Sequence, residues 1–239
     1  MQKIIRHMEE RYITSVDLGT SKIAVAVARV EGDDVQMIYF KETPSEGVRN
    51  SHVFNPQKVS APLRKALDEA EKDLGIKVSQ AVVGLPRYYV RQEKATARLE
   101  RTNVDESIST EEISALKSEA VDSYPLEDSS KEVIYGAVAQ SFSVEDCFQT
   151  AESDIVGMVS PEVEGNFKAF IGSKRSSTNI DMVFNNVGVA IADKIFTPDA
   201  VAKAVLTPEE RENGVALIEL GAGVTSVTIY KNDILRHYA

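Results

Sequence analysis

Ser15–Ser21 has the sequence SVDLGTS, and its pattern returns near the other end of the chain in Leu217–Gly223, which has the sequence LIELGAG. In both stretches an apolar segment ends in an acid, which is followed by Leu, Gly and small residues. An alternating strand pattern comes next in each, rather than a helix pattern. A turn of small residues between two strands exposes several backbone N–H groups, and glycine lets phosphate oxygens approach them closely. The repeat therefore predicts two phosphate-binding loops.

Each loop supplies candidate ligand-binding residues. Mg²⁺ keeps several of its waters when a protein binds it, so the two acids, Asp17 and Glu219, are predicted to hold it through water. A dinucleotide-binding pattern is the competing interpretation of the second loop, but that pattern requires a helix where Val224–Lys231 alternates as a strand. The predicted binding residues are Asp17, Gly19, Thr20, Ser21 and Lys22 in the first loop, and Glu219, Gly221, Ala222, Gly223, Val224 and Thr225 in the second.

The segment around the first loop predicts a sheet followed by a helix. Three short alternating segments, 13–16, 22–30 and 35–41, are typical of an antiparallel meander. Asn55 and Pro56 together mark a helix start, and Gly75 marks its end. A further strand is predicted over 78–85.

From Pro86 the pattern changes, and 86–170 is predicted to be a small α+β module inserted into the first pattern. A strand over 88–99, a helix with a Ser109–Glu112 capping box, and strands over 132–142 and 167–171 would build it. Five basic residues on or beside the first of these strands indicate either a positive contact surface or a solvated edge strand: Arg87, Arg91, Lys94, Arg98 and Arg101. Its aromatic side chains are predicted to form its core: Tyr124, Tyr135, Phe142, Phe148, Phe167 and Phe170.

After the module, a helix that ends at Gly188 and a strand over 189–195 are predicted, and then a short helix capped by Thr197 and Pro198. A second capping box, Thr207 to Glu210, precedes three strands over 215–220, 224–231 and 234–238.

Composition excludes several classes of protein. The 239 residues carry a net charge of −10, which disfavours unaided binding of nucleic acid, so no nucleic-acid partner is expected. One cysteine, Cys147, precludes an internal disulfide and favours a reducing, intracellular compartment. No apolar run approaches the roughly 20 residues of a membrane helix. No nucleophile–base pair is evident, so no catalytic residue is predicted.

At the two loops the chain resembles the actin–Hsp70–sugar kinase superfamily, and within it the FtsA family of bacterial cell-division proteins. Further resembling stretches are 16–24, 80–86, 204–210 and 229–239. The resemblance implies an α/β (mixed α+β) fold: an actin-like ATPase-domain lobe, RNase H-like, with an inserted SHS2-like domain. Residues 1–85 and 171–207 would form subdomain 1A, 86–170 the inserted subdomain 1C, and 208–239 the start of subdomain 2A.

The same resemblance implies a function. The intact protein would bind ATP and Mg²⁺, act at most as a slow ATPase, polymerise, and link FtsZ and other division proteins to the membrane. It would lie in the cytoplasm at the inner face of the cytoplasmic membrane, held there by a C-terminal segment. That segment and the rest of the second lobe would lie beyond Ala239, so the chain is expected to be an N-terminal portion.

Two alternatives and one departure stay open. A PilM-like pilus-assembly protein and a superfamily kinase share the same loops, although no acid that would activate an acceptor hydroxyl is evident. The second loop has Glu219, Ala222 and Val224 where the family usually has Asp, Gly and Thr. Alanine would cost about 1–2 kcal/mol if that turn required positive φ, so weaker nucleotide binding is expected there.

Overall fold

The computed structural model describes residues 11–32 and 34–239. Contacts between Cα atoms divide the chain into two compact units. The first unit holds the described residues up to Gly84, together with Thr178–Lys194 and Gly221–Gly223. The second unit holds Leu85–Ser177, Ile195–Leu220 and Val224–Ala239.

Strands and helices are mixed along the chain. The helices are α1 (Pro56–Leu74), α2 (Thr110–Asp122), α3 (Glu152–Ile155), α4 (Lys174–Val187), α5 (Thr197–Val205) and α6 (Pro208–Asn213). The strands are β1 (Arg11–Leu18), β2 (Lys22–Glu31), β3 (Asp34–Pro44), β4 (Val48–Arg49), β5 (His52–Val53), β6 (Gln80–Leu85), β7 (Arg91–Glu100), β8 (Glu132–Val144), β9 (Cys147–Thr150), β10 (Glu162–Ser173), β11 (Ala190–Phe196), β12 (Val215–Leu220), β13 (Thr225–Lys231) and β14 (Ile234–Tyr238).

A five-stranded sheet with the order β11-β6-β1-β2-β3 carries the first loop. The antiparallel pairing of β1 with β2 and of β2 with β3 confirms the predicted meander, and β6 joins β1 in parallel. The inward face of β2 is fully apolar, with Ile23, Val25 and Val27 completely buried. Helix α1 packs against β2 and β3. The turn from β1 into β2 is thereby fixed to a packed sheet.

Helix α1 begins and ends where its sequence predicts. The side chain of Asn55 accepts a hydrogen bond from the Lys58 amide, Pro56 is the first helical residue, and Gly75 closes the helix in the left-handed conformation. Helix α4 lies beside it: the Asn186 side chain donates to Ser60 Oγ at 3.1 Å.

The second unit contains a four-stranded sheet with the order β7-β10-β8-β9. One face of this sheet packs with α2 and α3 over a hydrophobic cluster whose fully buried members include Phe142, Phe167 and Ile155. The predicted capping box at the start of α2 is confirmed, because Ser109 and Glu112 each bond the other's backbone amide. All members of the buried cluster lie between Ala95 and Ala169, within the predicted insertion. The limits given above for the three subdomains stay a prediction.

A three-stranded antiparallel meander, β12-β13-β14, completes the second unit. The predicted capping box before it is confirmed at α6, where Thr207 and Glu210 bond each other's amides. Two local predictions about other segments are wrong. The strand expected from Tyr88 begins only at Arg91, since Tyr89 has a φ of +55°. The residue that caps α5 is Phe196, and no side chain bonds the helix there.

One prediction about the core is also wrong. Phe148 was expected inside the insertion, but its side chain is 73% exposed on β9, next to Gln149 in a left-handed conformation. Phe142 and Phe167 are buried in the cluster, as predicted, and Tyr124 packs against it from a partly buried position. Tyr135 and Phe170 are also buried but lie outside this cluster, and the ring of Phe170 contacts those of Phe196 and Tyr238.

Candidate functional site

The turn between β1 and β2 forms the first predicted loop. The Gly19 amide donates to the Lys22 carbonyl at 2.9 Å, which closes the turn. A Cβ atom on Gly19 would lie only 2.7 Å from that carbonyl oxygen, so no larger residue fits the turn as it stands. The sequence therefore places glycine where the backbone folds back most tightly.

Asp17 lies at the end of β1, half-buried, directly opposite Ala24 of β2. In the described part of the chain, no side chain or amide forms an ion pair or hydrogen bond with its carboxylate. Because a half-buried carboxylate without a partner favours a cation or ordered water, Asp17 suits the predicted water-mediated Mg²⁺ contact. Lys22 is already paired within the protein, because its ammonium forms an ion pair with Glu42 on β3.

Thr20 connects the first loop to two other segments of the first unit. Its hydroxyl accepts a hydrogen bond from the Ser51 amide at 3.2 Å, in a turn where Asn50 and Ser51 both have positive φ. A Cβ atom built on Gly223 would lie 2.7 Å from Thr20 Oγ1 and 3.2 Å from the Asn50 amide nitrogen. Part of the second loop, Gly221–Gly223, thus packs against the first loop inside one unit.

Glu219 is the next-to-last residue of β12 and has partners within the protein. Its carboxylate forms an ion pair with Arg87, and Ser226 Oγ donates to its other oxygen at 3.2 Å. The Tyr238 hydroxyl in turn donates to the Arg87 carbonyl at 2.6 Å. Because an arginine already neutralises this carboxylate, Glu219 fits a role as Mg²⁺ ligand less well than Asp17 does. The assignment of Glu219 to the metal stays a prediction.

Ala222 sits in the second loop without backbone strain. Among the described residues, the non-glycine positions with positive φ are Asn50, Ser51, Tyr89, Gln149, Asn232 and Asp233. Ala222 is not one of them, so the cost considered for alanine at this turn does not arise. Val224 follows as a half-buried residue, and Thr225 begins β13 opposite Leu220.

The basic residues predicted as a positive strip are mostly paired. Arg87 bonds Glu219, Arg98 pairs with Glu162, and Arg101 is buried against Glu112. Arg91 contacts three carboxylates, those of Glu93, Glu127 and Glu132. The expected local excess of positive charge is therefore absent at these four arginines, and Lys94 is the member of the set that has no such partner among the described residues.

The part of the chain that the structure describes holds neither a candidate metal cluster nor a candidate membrane-spanning helix. Within 11–32 and 34–239, no group of three or more His, Cys, Asp and Glu side chains is arranged to hold a metal ion. Over those same residues, none of the helices combines the length and apolar character that a membrane crossing requires.

Comparison with curated proteins gives a consistent answer over nearly the whole chain, although no family model matches it. The cell division protein FtsA of Bacillus subtilis is 28% identical over 227 residues, which are 95% of this chain and 50% of that protein. FtsA of Neisseria meningitidis is 24% identical over 96% of this chain and 54% of that protein. The chain is therefore similar to the cell division protein FtsA. It spans about half the length of the curated relatives it matches.

Solved structures agree with the predicted fold. The chain superposes on a chain of the PilM-PilN type IV pilus biogenesis complex with a TM-score of 0.59, covering 95% of this chain and 60% of that one at 13% identity. The ethanolamine utilization protein EutJ of Carboxydothermus hydrogenoformans gives a TM-score of 0.51 over 96% of this chain and 51% of that chain, also at 13% identity. The actin-like fold class is confirmed.

Proposed function

We propose that the intact protein is an actin-fold scaffold of bacterial cell division that binds ATP with Mg²⁺, polymerises, and links FtsZ to the cytoplasmic membrane. The similarity to FtsA over about 95% of the chain carries this proposal. In this role the protein works at the cytoplasmic face of the membrane at the division site, and it is at most a slow ATPase.

The first loop supports the nucleotide part of the proposal. The half-buried carboxylate of Asp17 has no ion pair or hydrogen bond among residues 11–32 and 34–239, and the turn at Gly19 is too tight for any side chain. In this role Asp17 holds Mg²⁺ through water, and the loop amides and the hydroxyls of Thr20 and Ser21 face the phosphates. The bound Mg²⁺ would offset the negative charge of the phosphates. Because the chain spans about half of its relatives, we expect the 239 residues alone to bind ATP weakly or not at all.

Titration calorimetry of the intact protein with Mg-ATP tests the nucleotide part. Asp17→Ala should weaken binding at least 10-fold, since the variant removes the proposed contact to the metal. Asp105→Ala is the matched control, because this exposed aspartate lies in the loop before α2, and it should leave binding unchanged. Equal affinities for the wild type and Asp17→Ala would refute the site, and micromolar binding by the 239-residue chain would contradict the weak binding expected of it.

A localisation experiment tests the scaffold part. A fluorescent fusion of the intact protein should gather at the division site, and should disperse when FtsZ is depleted. Co-sedimentation with FtsZ polymers and lipid vesicles should recover both partners together. A PilM-like role is the alternative that the structural likeness to PilM favours, at the level of fold alone. Localisation that is independent of FtsZ would support that alternative and contradict the proposal.

A further inference from the structure

The four-stranded sheet of the second unit has a polar face opposite the face that packs on α2. Side chains on β10 alternate, so that Val163, Phe167 and Ala169 are buried while Asn166 and Lys168 face the other way. The antiparallel register places Thr96 opposite Asn166, and Lys94 directly opposite Lys168. Thr96 Oγ1 donates to Asn166 Oδ1 at 3.2 Å.

Three cations meet at one end of this face. Lys94 and Lys168 are cross-strand neighbours, and like charges in that arrangement repel each other. The Lys168 ammonium also donates to the backbone carbonyl of Arg236, on β14, at 2.6 Å. Burial, with a contribution from the charge of Arg236, lowers the pKa of Lys168 below its ordinary value. The positive charges of these side chains repel one another, and a bound anion would reduce that repulsion.

Protein carboxylates do not neutralise this group. Among the described residues, none forms an ion pair with Lys94, Lys168 or Arg236. The nearby Glu93 is held by Arg91 at 2.8 Å. Glu164 lies four residues from Lys168 along β10, about 13 Å at the usual rise of a strand. In an acidic chain with many other paired cations, three neighbouring cations that form no ion pair with any described residue are unusual.

A cavity lies against the same residues. Its volume is about 560 Å³, and its lining includes the two lysines Lys94 and Lys168, the two acids Glu93 and Glu164, and the polar residues Ser141, Asn166 and Gln140. A second cavity of about 930 Å³ adjoins it, lined by Arg236 and sharing Gln140 and Ser141. The exposed ring of Phe148 also lines the first cavity. A volume of this size suits a small organic molecule.

We propose that this cavity binds a small phosphate-bearing molecule, with the phosphate held by Lys94 and Lys168 and with Arg236 contributing from the adjoining cavity. Lysine ammonium groups act as point charges toward phosphate. The planar guanidinium of Arg236 can donate two parallel hydrogen bonds to phosphate oxygens. The hydroxyl and amide groups of Ser141, Gln140 and Asn166 are suited to bind the uncharged part, against the ring of Phe148. None of the residues of the predicted nucleotide loops lines either cavity, so this is a site separate from the proposed ATP function.

Titration of the 239-residue chain with pyrophosphate at constant ionic strength tests the site. NMR should show saturable shifts of the Ser141 and Asn166 amides, and Lys94→Gln and Lys168→Gln should each weaken binding at least 5-fold. Lys117→Gln is the control, since this exposed lysine lies on α2, behind the other face of the sheet. Asp17→Ala should retain the wild-type affinity at this site, which separates it from the nucleotide site. Circular dichroism checks that each variant is folded.

Two outcomes would overturn the proposal. The first is the absence of saturable shifts at Ser141 and Asn166, or equal affinity in the folded Lys94→Gln variant. The second comes from a vesicle arm with phosphatidylglycerol, compared with phosphatidylcholine. Lysine-dependent binding to the anionic vesicles without any binding of free pyrophosphate would assign the cations to a lipid headgroup instead.

Discussion

The guanidinium of Arg87 forms an ion pair with the carboxylate of Glu219, although the two residues are 132 positions apart in the chain. Their side chains are only 23% and 15% exposed. Ser226 donates to the same carboxylate and Tyr238 to the Arg87 backbone, so β12, β13 and β14 share one polar network with the segment before β7. The acid of the second loop is therefore part of the internal structure of the second unit.

Removing one partner of this pair should destabilise the protein. Arg87→Gln leaves a mostly buried carboxylate with Ser226 as its remaining donor, and we expect a loss of about 2 kcal/mol in the free energy of unfolding. Urea denaturation measures this loss. Glu219→Gln and the double variant complete a cycle, and the coupling between the two positions should be about 1–2 kcal/mol. Additive losses in the double variant would show that the pair contributes nothing of its own.

Gly223→Ala should disturb the contact between the two loops in the first unit. The added Cβ would lie 2.7 Å from Thr20 Oγ1 and 3.0 Å from its Cγ2, so the loop must shift. We expect a loss of about 1–2 kcal/mol in urea denaturation. Thr20→Ala frees the space, so the double variant should recover part of the loss.

Ala222→Gly is the matched control in the neighbouring position. Because Ala222 does not have positive φ, glycine gives no relief of strain there and should be neutral or destabilising by up to about 1 kcal/mol. Stabilisation by Ala222→Gly would contradict this account of the turn. So would a Gly223→Ala variant as stable as the wild type.

Local signals predicted the helices well and distant contacts poorly. Asn55, Pro56 and Gly75 define the ends of α1 through bonds to their own neighbours, so the sequence alone located them. Nothing near Arg87 in the sequence indicates Glu219 as its partner. Likewise, an aromatic residue such as Phe148 is usually buried, and only the course of β9 leaves its ring exposed.

The candidate site was predictable in part, because its two loops repeat one pattern. The repeat predicted the residue types and the turns, and the structure brings Thr20 and Gly223 together. It could not predict which acids keep a free carboxylate, since this depends on partners from elsewhere in the chain. Asp17 has none among the described residues, whereas Glu219 has two.

Arg101 should be far more important for stability than Arg98, although both were predicted to belong to one positive strip. The Arg101 side chain is 2% exposed and bonds Glu112 Oε1 at 2.8 Å, with further bonds to the Ser160 and Glu106 carbonyls. Arg101→Ala leaves these acceptors unsatisfied and should cost about 3 kcal/mol. Arg98→Ala removes an exposed pair with Glu162 and should cost about 0.5 kcal/mol. Similar midpoints in urea for the two variants would contradict this ranking.

Stability should fall at alkaline pH as buried tyrosines ionise. Burial raises the pKa of Tyr238 from 10.0 to about 12, and that of Tyr135 likewise to about 12. The unfolded chain releases these protons near pH 10, whereas the folded chain holds them until about pH 12. The stability they contribute is therefore complete below pH 10 and is lost between about pH 10 and 12.

Urea denaturation at pH 8 and pH 11 measures this loss for the wild type and for Tyr238→Phe. The variant loses the hydrogen bond to the Arg87 carbonyl, so it should be about 1 kcal/mol less stable at pH 8. Its stability should then fall less than the wild type's between the two pH values, because phenylalanine has no proton to release. Tyr89→Phe, whose ring is 80% exposed, keeps the buried phenols of Tyr135, Tyr230 and Tyr238 and should show the full decline. Equal declines in Tyr238→Phe and Tyr89→Phe would show that the Tyr238 hydroxyl is not protected by burial.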